Sequence, residues 1–196
     1  MSEMDSTADC RIRVRAAALS DIPFIQDIAR RTWADTYRGI VPEDAQAAVL
    51  DRAYSGESLT VSIGSGQAFL VAEVDSGDPR TGSSLAGYVD VDYDGRQANL
   101  HRLYVLPEYQ RLGLGRRMLR EAVAQVLDRL PPNTVLPLVA HVERDNPKAR
   151  SFYRKVGFVE NEEEIVIIGG ISLPVIRISM TVGGDGGAFK DSPGGR

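Results

Sequence analysis

The sequence predicts a single mixed α/β domain in which a mostly antiparallel sheet is flanked by helices. Three strand-like segments lie between residues 68 and 105, and Asp94-Gly95 between the last two is a strong hairpin signal. A long amphipathic helical pattern follows over residues 113–129. The next strand pattern, residues 135–142, places a helix between two strands, which indicates one parallel pair within the sheet.

The other elements are predicted from residue alternation, capping residues and turn signals. They are a strand at 11–15, a helix that begins at Ser20–Pro23, a helix at 43–53, a short helix from Asn146 to Lys155, and a final strand pair at 158–168 and 173–180. The order of these elements leaves no room for a second domain. We expect the folded domain to span residues 11–181, with a disordered N-terminus at 1–10 and a disordered glycine-rich tail at 182–196.

Composition excludes several classes of function. The net charge of −4 argues against nucleic acid as the main partner. No apolar run could span a bilayer and no secretory signal is present, so the sequence predicts a cytoplasmic protein without a membrane partner. Cys10 is the single cysteine and there are two histidines, so no metal site is expected. The predicted edge strands allow a homodimer, although nothing specifies one.

The most informative motif is a glycine turn at the start of the amphipathic helix. A strand ending in Leu103-Tyr104-Val105 is followed by Gln110-x-x-Gly113-x-Gly115. Backbone N–H groups at a helix N-terminus bind anions, and glycine removes the Cβ that would block their approach. The amides of residues 111–116 and the arginines around the turn therefore favour a small polyphosphate, with an ordinary strand-to-helix turn as the alternative.

The order of the motifs resembles the GNAT superfamily of N-acetyltransferases, in particular its small bacterial members. After the glycine turn come Asn146, then residues 149–153 (Ala-Arg-Ser-Phe-Tyr) and 156–158 (Val-Gly-Phe), and the resemblance covers residues 11–181. It implies acetyl-CoA as the donor and a primary amine as the acceptor. It also implies a twisted sheet in which the parallel strands splay apart and the pantetheine arm pairs with the backbone of residues 103–105.

The resemblance assigns the donor site residue by residue. The cofactor-binding residues are expected to be Leu103, Tyr104, Val105, Gln110, Arg111, Leu112, Gly113, Leu114, Gly115, Arg116, Asn146 and Tyr153. Tyr153 is also expected to protonate the departing thiolate as a general acid. The structural alternatives are a packing role for Tyr153 and a helix-capping role for Asn146.

The sequence offers several candidates for the general base and does not select one. Many relatives have a glutamate four residues before the Leu-Tyr-Val stretch, where this chain has Asn99, which cannot act as a base. The candidates are Asp90, Asp92, Glu73 and His101. The backbone N–H of Val105 is the expected oxyanion donor. Because Cys10 precedes the first strand, direct transfer in a ternary complex is favoured over an acetyl-enzyme.

The acceptor is the least predictable part of the function. Trp33 and Tyr37 are the predicted substrate contacts, with Tyr54 beside them and Asp35, Asp90 and Asp92 attracting a cation. The alternative is that these rings only pack a helix on the sheet. The sequence thus predicts an N-acetyltransferase for a small amine or polyamine. A protein or peptide acetyltransferase and a non-catalytic coenzyme-A-binding module are the alternatives.

Overall fold

The computed structural model describes residues 11–75, 83–168, 170–184 and 189. The strands are β1 (Arg11–Ala16), β2 (Ala68–Asp75), β3 (Ser83–Tyr93), β4 (Ala98–Val105), β5 (Val135–Glu143), β6 (Val159–Ile168) and β7 (Ile171–Gly183). The helices are α1 (Ile22–Thr36), α2 (Glu43–Ala53), α3 (Gly56–Gly64), α4 (Leu114–Leu127) and α5 (Pro147–Val156). The predicted disordered N-terminus, which includes Cys10, and residues 185–188 and 190–196 of the predicted tail lie outside the described residues.

The seven strands form one sheet in the order β1-β2-β3-β4-β5-β7-β6. All neighbouring strands are antiparallel except β4 and β5, which are parallel and are connected through α4. This confirms the predicted mixed fold. The edges of the sheet are β1 and β6, and the homodimer that edge strands allow stays a prediction.

Helices cover both faces of the sheet and create two apolar cores. On one face, Leu114, Met118 and Leu119 of α4 pack against Val89 and Val91 of β3. On the other face, Ile25 and Ile28 of α1 belong to the core that contains Tyr88. Successive residues of a strand point to opposite faces, so the alternation along β3 supplies both cores.

The parallel strands β4 and β5 separate after a short contact. They pair only at Ala98 with Leu138 and at Asn99 with Val139. From that point β5 keeps its pairing with β7, and β4 keeps its pairing with β3. The splay that the resemblance implies is therefore present, and it opens a gap between residues 100–105 and 140–143.

A bulge in β4 sets the register beside the gap. Asp90 of β3 is opposite Arg102, whereas Val91 is opposite Leu100, so His101 is the extra residue of β4. Further along, Gly87 faces Val105. A Cβ on Gly87 would lie 2.5 Å from the carbonyl oxygen of Tyr104, so the close approach of β3 to β4 requires glycine here.

Three details differ from the sequence prediction. Helix α3 was not predicted, and β7 continues to Gly183, two residues beyond the predicted end of the domain. Phe189, inside the predicted tail, packs against the core on the α4 face. Among the described residues, no helix combines the length and the apolar character needed to cross a membrane.

We expect Gly87→Ala to lower the free energy of unfolding by about 2 kcal/mol, because the new Cβ would force backbone apart in the centre of the sheet. Urea unfolding followed by circular dichroism measures the change. Gly64→Ala is the matched control, since a Cβ there meets open space at the end of α3. Equal stability of the two variants would contradict the packing described.

Candidate active site

The gap between β4 and β5 exposes backbone groups of β4. The N–H of Leu106 donates to the carbonyl of Ala86, 2.8 Å away, so it points toward β3. Backbone N–H groups alternate in direction along a strand, so the N–H of Val105 points to the opposite side, into the gap. The side-chain amide of Gln110 donates to the Val105 carbonyl at 2.9 Å. Residues 103–105 thus present a strand edge to a ligand.

The glycine turn lies directly after this strand edge. Arg111 and Gly113 both have left-handed backbone conformations, with φ of 68° and 77°, and α4 begins at Leu114. The first N–H groups of a helix have no partner within the helix, and left-handed residues in a turn orient neighbouring N–H groups toward one point. Arg111 and Leu112 are exposed beside them. The turn has the geometry of an anion site.

Helix α5 closes one end of the gap. Asn146 is buried and caps the helix, because its side-chain oxygen accepts from the N–H of Ala149 at 3.0 Å. The ring of Phe152 lies 3.4 Å from the Cβ position of Gly115, and the ring of Tyr153 packs edge-on against Phe152, 5.2 Å between centroids. Gly115 therefore lets Phe152 of α5, the neighbour of Tyr153, pack closely against α4 beside Val105 of β4.

Tyr153 has a phenol that resists ionisation. Burial raises its pKa well above the usual value for tyrosine, and the negative charge of Glu143 raises it further. A phenol in this environment stays protonated at neutral pH and can donate a proton, as a general acid must.

A carboxylate lies on the opposite strand of the gap. Glu143 is the last residue of β5, and its Oε1 accepts a hydrogen bond from the Tyr37 hydroxyl at 2.7 Å. The Tyr104 hydroxyl of β4 lies 3.5 Å from the Tyr37 hydroxyl. Burial is the main cause that raises the pKa of both tyrosines well above the usual value. The three side chains connect β4 and β5 with the segment that directly follows α1, at the open end of the gap.

Comparison with known proteins identifies the family. The profile described as "Acetyltransferase (GNAT) domain" matches residues 65–160, which contain the gap, the glycine turn and α5. The spermidine N(1)-acetyltransferase of Thermoplasma acidophilum is 30% identical over 152 residues, which are 75% of this chain and 88% of that protein. The chain belongs to the GNAT acetyltransferases.

Two further relatives place the chain within this family. The crystal structure of the PaiA N-acetyltransferase from Thermoplasma acidophilum, in complex with coenzyme A, superposes with a TM-score of 0.70 at 27% identity, covering 85% of this chain and 98% of that one. The N-alpha-acetyltransferase RimI of Mycobacterium tuberculosis is 37% identical over 83 residues, 40% of this chain and 48% of RimI. As a GNAT member, the chain is an acetyl-CoA-dependent N-acetyltransferase.

Of the four candidate bases, Asp90 is buried away from the gap. It is 1% exposed, and its Oδ2 accepts from the guanidinium of Arg102 at 2.6 Å. Arg102 in turn donates to the carbonyl of Ala53 and contacts the hydroxyl of Ser62, under α2 and α3. Burial raises the pKa of Asp90 and Arg102 opposes that rise. The pair connects the sheet with the helices above it.

Asp92 and His101 lie at the other end of β4 from the glycine turn. The Nε2 of His101 is 3.0 Å from Asp92 Oδ2, and the amide of Asn99 donates to Asp92 Oδ1 at 2.9 Å. Asn99, opposite Asp92, is six residues from Val105, so about 20 Å of strand separates them, and His101 is four residues, or about 13 Å, from Val105. The fourth candidate, Glu73, forms an ion pair with Arg15 of β1.

The predicted acceptor contacts form an aromatic group inside the protein. Trp33 and Tyr37 are each 5% exposed, with ring centroids 4.4 Å apart, and Tyr54 packs edge-on against Trp33 at 6.3 Å. Their rings pack α1 on the sheet, and the hydroxyl of Tyr37 alone reaches Glu143. Asp35 lies 3.8 Å from the ammonium of Lys148.

Glu143 was not among the residues predicted from sequence. It is followed by Arg144 and Asp145, and such a charged run at the end of a strand reads as a solvated turn. Its partner Tyr37 precedes it by 106 residues, so no local pattern connects the two. The signal that was available is its position three residues before Asn146, on a strand predicted to line the splay.

We expect Arg102→Met to destabilise the protein by about 3 kcal/mol at neutral pH, because it leaves the Asp90 carboxylate buried without a partner. The loss should shrink as the pH falls through the raised pKa of Asp90, since the protonated carboxyl needs no cation. Urea unfolding at several pH values measures both effects. Arg120→Met, at an exposed position of α4, is the control, and an equal effect there would contradict the argument.

Proposed function

We propose that this enzyme transfers the acetyl group of acetyl-CoA to a primary amine of a small amine or polyamine, by direct attack in a ternary complex in the cytoplasm. The main support for a small amine or polyamine as the acceptor is the 30% identity with a spermidine N(1)-acetyltransferase across 88% of that protein.

The donor site is proposed at the strand edge and the glycine turn. The pyrophosphate of acetyl-CoA would accept hydrogen bonds from the amides of residues 111–116, with Gln110 holding the turn to the end of β4. The pantetheine amides would pair with residues 103–105, as an added strand pairs with a free edge. The coenzyme A in the PaiA structure, whose chain this one covers to 98%, supports this assignment.

The chemistry is assigned to two groups at the gap. The amine nitrogen attacks the thioester carbon, and the Val105 N–H stabilises the negative charge that develops on the carbonyl oxygen. The C–S bond then breaks, and the phenol of Tyr153 protonates the thiolate. Direct transfer is proposed over an acetyl-enzyme because the single cysteine, Cys10, precedes the first strand in the sequence.

A free-thiol assay tests the proposal. Purified protein is incubated with acetyl-CoA and, in parallel, with spermidine, monoamines, aminoglycosides and peptides bearing a free N-terminus. We expect thiol release that depends on spermidine or another small amine. The peptides are included because the chain is 37% identical with RimI over 83 residues. Turnover of peptides alone would contradict the proposal of a small-amine acceptor and indicate a peptide acetyltransferase. No turnover in any arm, with coenzyme A still bound, would indicate a non-catalytic binding module.

We expect Tyr153→Phe to lower kcat by about 10²- to 10⁴-fold, the usual contribution of a general acid, without weakening acetyl-CoA binding. Calorimetric titration with acetyl-CoA and steady-state kinetics measure the two effects. The matched control is Tyr93→Phe, because Tyr93 is an exposed tyrosine at the far end of β3. If kcat for Tyr153→Phe equals that of the control, Tyr153 is not the general acid.

A further inference from the structure

We infer that Glu143 binds the ammonium group of the acceptor and removes its proton, and that Tyr37 holds the Glu143 carboxylate in place. This inference rests on the proposed function and names the residue that the acceptor meets in the site. It also fills the role left open where Asn99 stands in place of the glutamate of many relatives.

The first support is the position of Glu143. It ends β5 on the side of the gap opposite Val105, at the point where the two parallel strands have separated. The Tyr37 hydroxyl donates to its Oε1 at 2.7 Å. Its neighbour Arg144 pairs with Asp145 and Glu163 instead. Among the described residues, no arginine or lysine forms an ion pair with Glu143, so its charge is available to a cation.

The second support is the space beside Glu143. A cavity of about 260 Å³ is lined by Glu143, its neighbours Arg144 and Asp145, and residues of two other segments. Gly39 and Ile40 belong to the connection between α1 and α2, and Leu173 and Pro174 belong to β7. A flexible aliphatic amine could lie against Ile40, Leu173 and Pro174 with its ammonium at the Glu143 carboxylate. The charge of Arg144, which also lines the cavity, is compensated by Asp145 and Glu163.

The third support is that the other carboxylates are poorly placed for this role. Asp90 is sealed under α2 and α3 with Arg102, and Asp92 lies about 20 Å along the sheet from Val105. Glu143, in contrast, is close enough to Tyr153 that its charge raises the pKa of that phenol. A base on one side of the thioester and an acid on the other is the arrangement that acyl transfer to an amine needs.

Each proton that the reaction releases has an acceptor in the site or in the solvent. The acceptor ammonium gives one proton to the Glu143 carboxylate, and the free amine then attacks the thioester carbon. The C–N bond forms, the C–S bond breaks, and Tyr153 gives its proton to the thiolate, which leaves as coenzyme A. The second proton of the attacking nitrogen restores the Tyr153 phenol, and Glu143 releases its proton to solvent.

Glu143→Gln tests the inference, because the amide keeps the hydrogen bond from Tyr37 but accepts no proton. With spermidine or the best acceptor of the panel, we expect kcat/KM at about pH 7 to fall by at least about 10²-fold. The affinity for acetyl-CoA should stay unchanged, which also shows that the variant is folded. Glu121→Gln, on the exposed surface of α4, is the matched control and should behave as the wild type.

The pH profile separates a base from a merely structural residue. The groups around Glu143 are the phenols of Tyr37, Tyr104 and Tyr153, the charges of Arg144 and Asp145, and His141 on the same strand, which pairs with Glu164. In the Glu143→Gln variant, kcat/KM should rise about tenfold per pH unit toward the amine pKa of about 10, because only the free amine reacts. The wild type should level off at lower pH.

Tyr37→Phe should retain this wild-type profile while kcat/KM falls less than in Glu143→Gln, as expected of a positioning residue. Wild-type kinetics and an unchanged profile for Glu143→Gln would overturn the inference while leaving the proposed function intact. A wild-type enzyme that acetylates no amine would overturn the proposed function, and the inference with it.

Discussion

The site depends on the separation of β4 from β5 after only two residue pairs. A strand that loses its partner inside a sheet leaves backbone N–H and C=O groups without hydrogen bonds, and such groups are costly when buried. The protein satisfies one of them itself, since Gln110 donates to the carbonyl of Val105. The N–H of Val105 points into the same gap, where an extended ligand can pair with it. The glycine turn and α5 then lie at the gap because they follow β4 and β5 directly in the chain.

Elements with a strong local pattern were predictable, and α3 was not. Residues 56–64 begin and end with glycine and contain serine and threonine, which is the composition of a loop. The helix forms because Ser55 caps it through the N–H of Ser58 and because Leu59 is fully buried. Tertiary burial therefore overrides a weak intrinsic preference. The same helix contacts Arg102, the partner of Asp90, which is why this candidate base is buried.

The donor side of the site could be predicted from the sequence in more detail than the acceptor side. The glycine turn and the strand edge lie within 13 consecutive residues, 103–115. Because they are adjacent in the chain, the spacing of these residues determines how the turn and the strand edge lie relative to each other. The acceptor side is assembled from contacts between distant segments, as in the bond from Tyr37 to Glu143. The burial of Asp90 depends on the bulge at His101, which sets Arg102 opposite it. A one-residue register shift of this kind has no signature in the sequence.

The placement of Glu143 and Tyr153 on either side of the gap couples the two proton transfers that we propose. Burial raises the pKa of Tyr153, and the negative charge of Glu143 adds to the rise, so the phenol keeps its proton at neutral pH. Once Glu143 has taken the proton of the acceptor, that charge is gone and the pKa of Tyr153 falls. Removal of this smaller contribution favours proton donation by the phenol after the nucleophile has formed, while burial still keeps the phenol protonated until the thiolate departs.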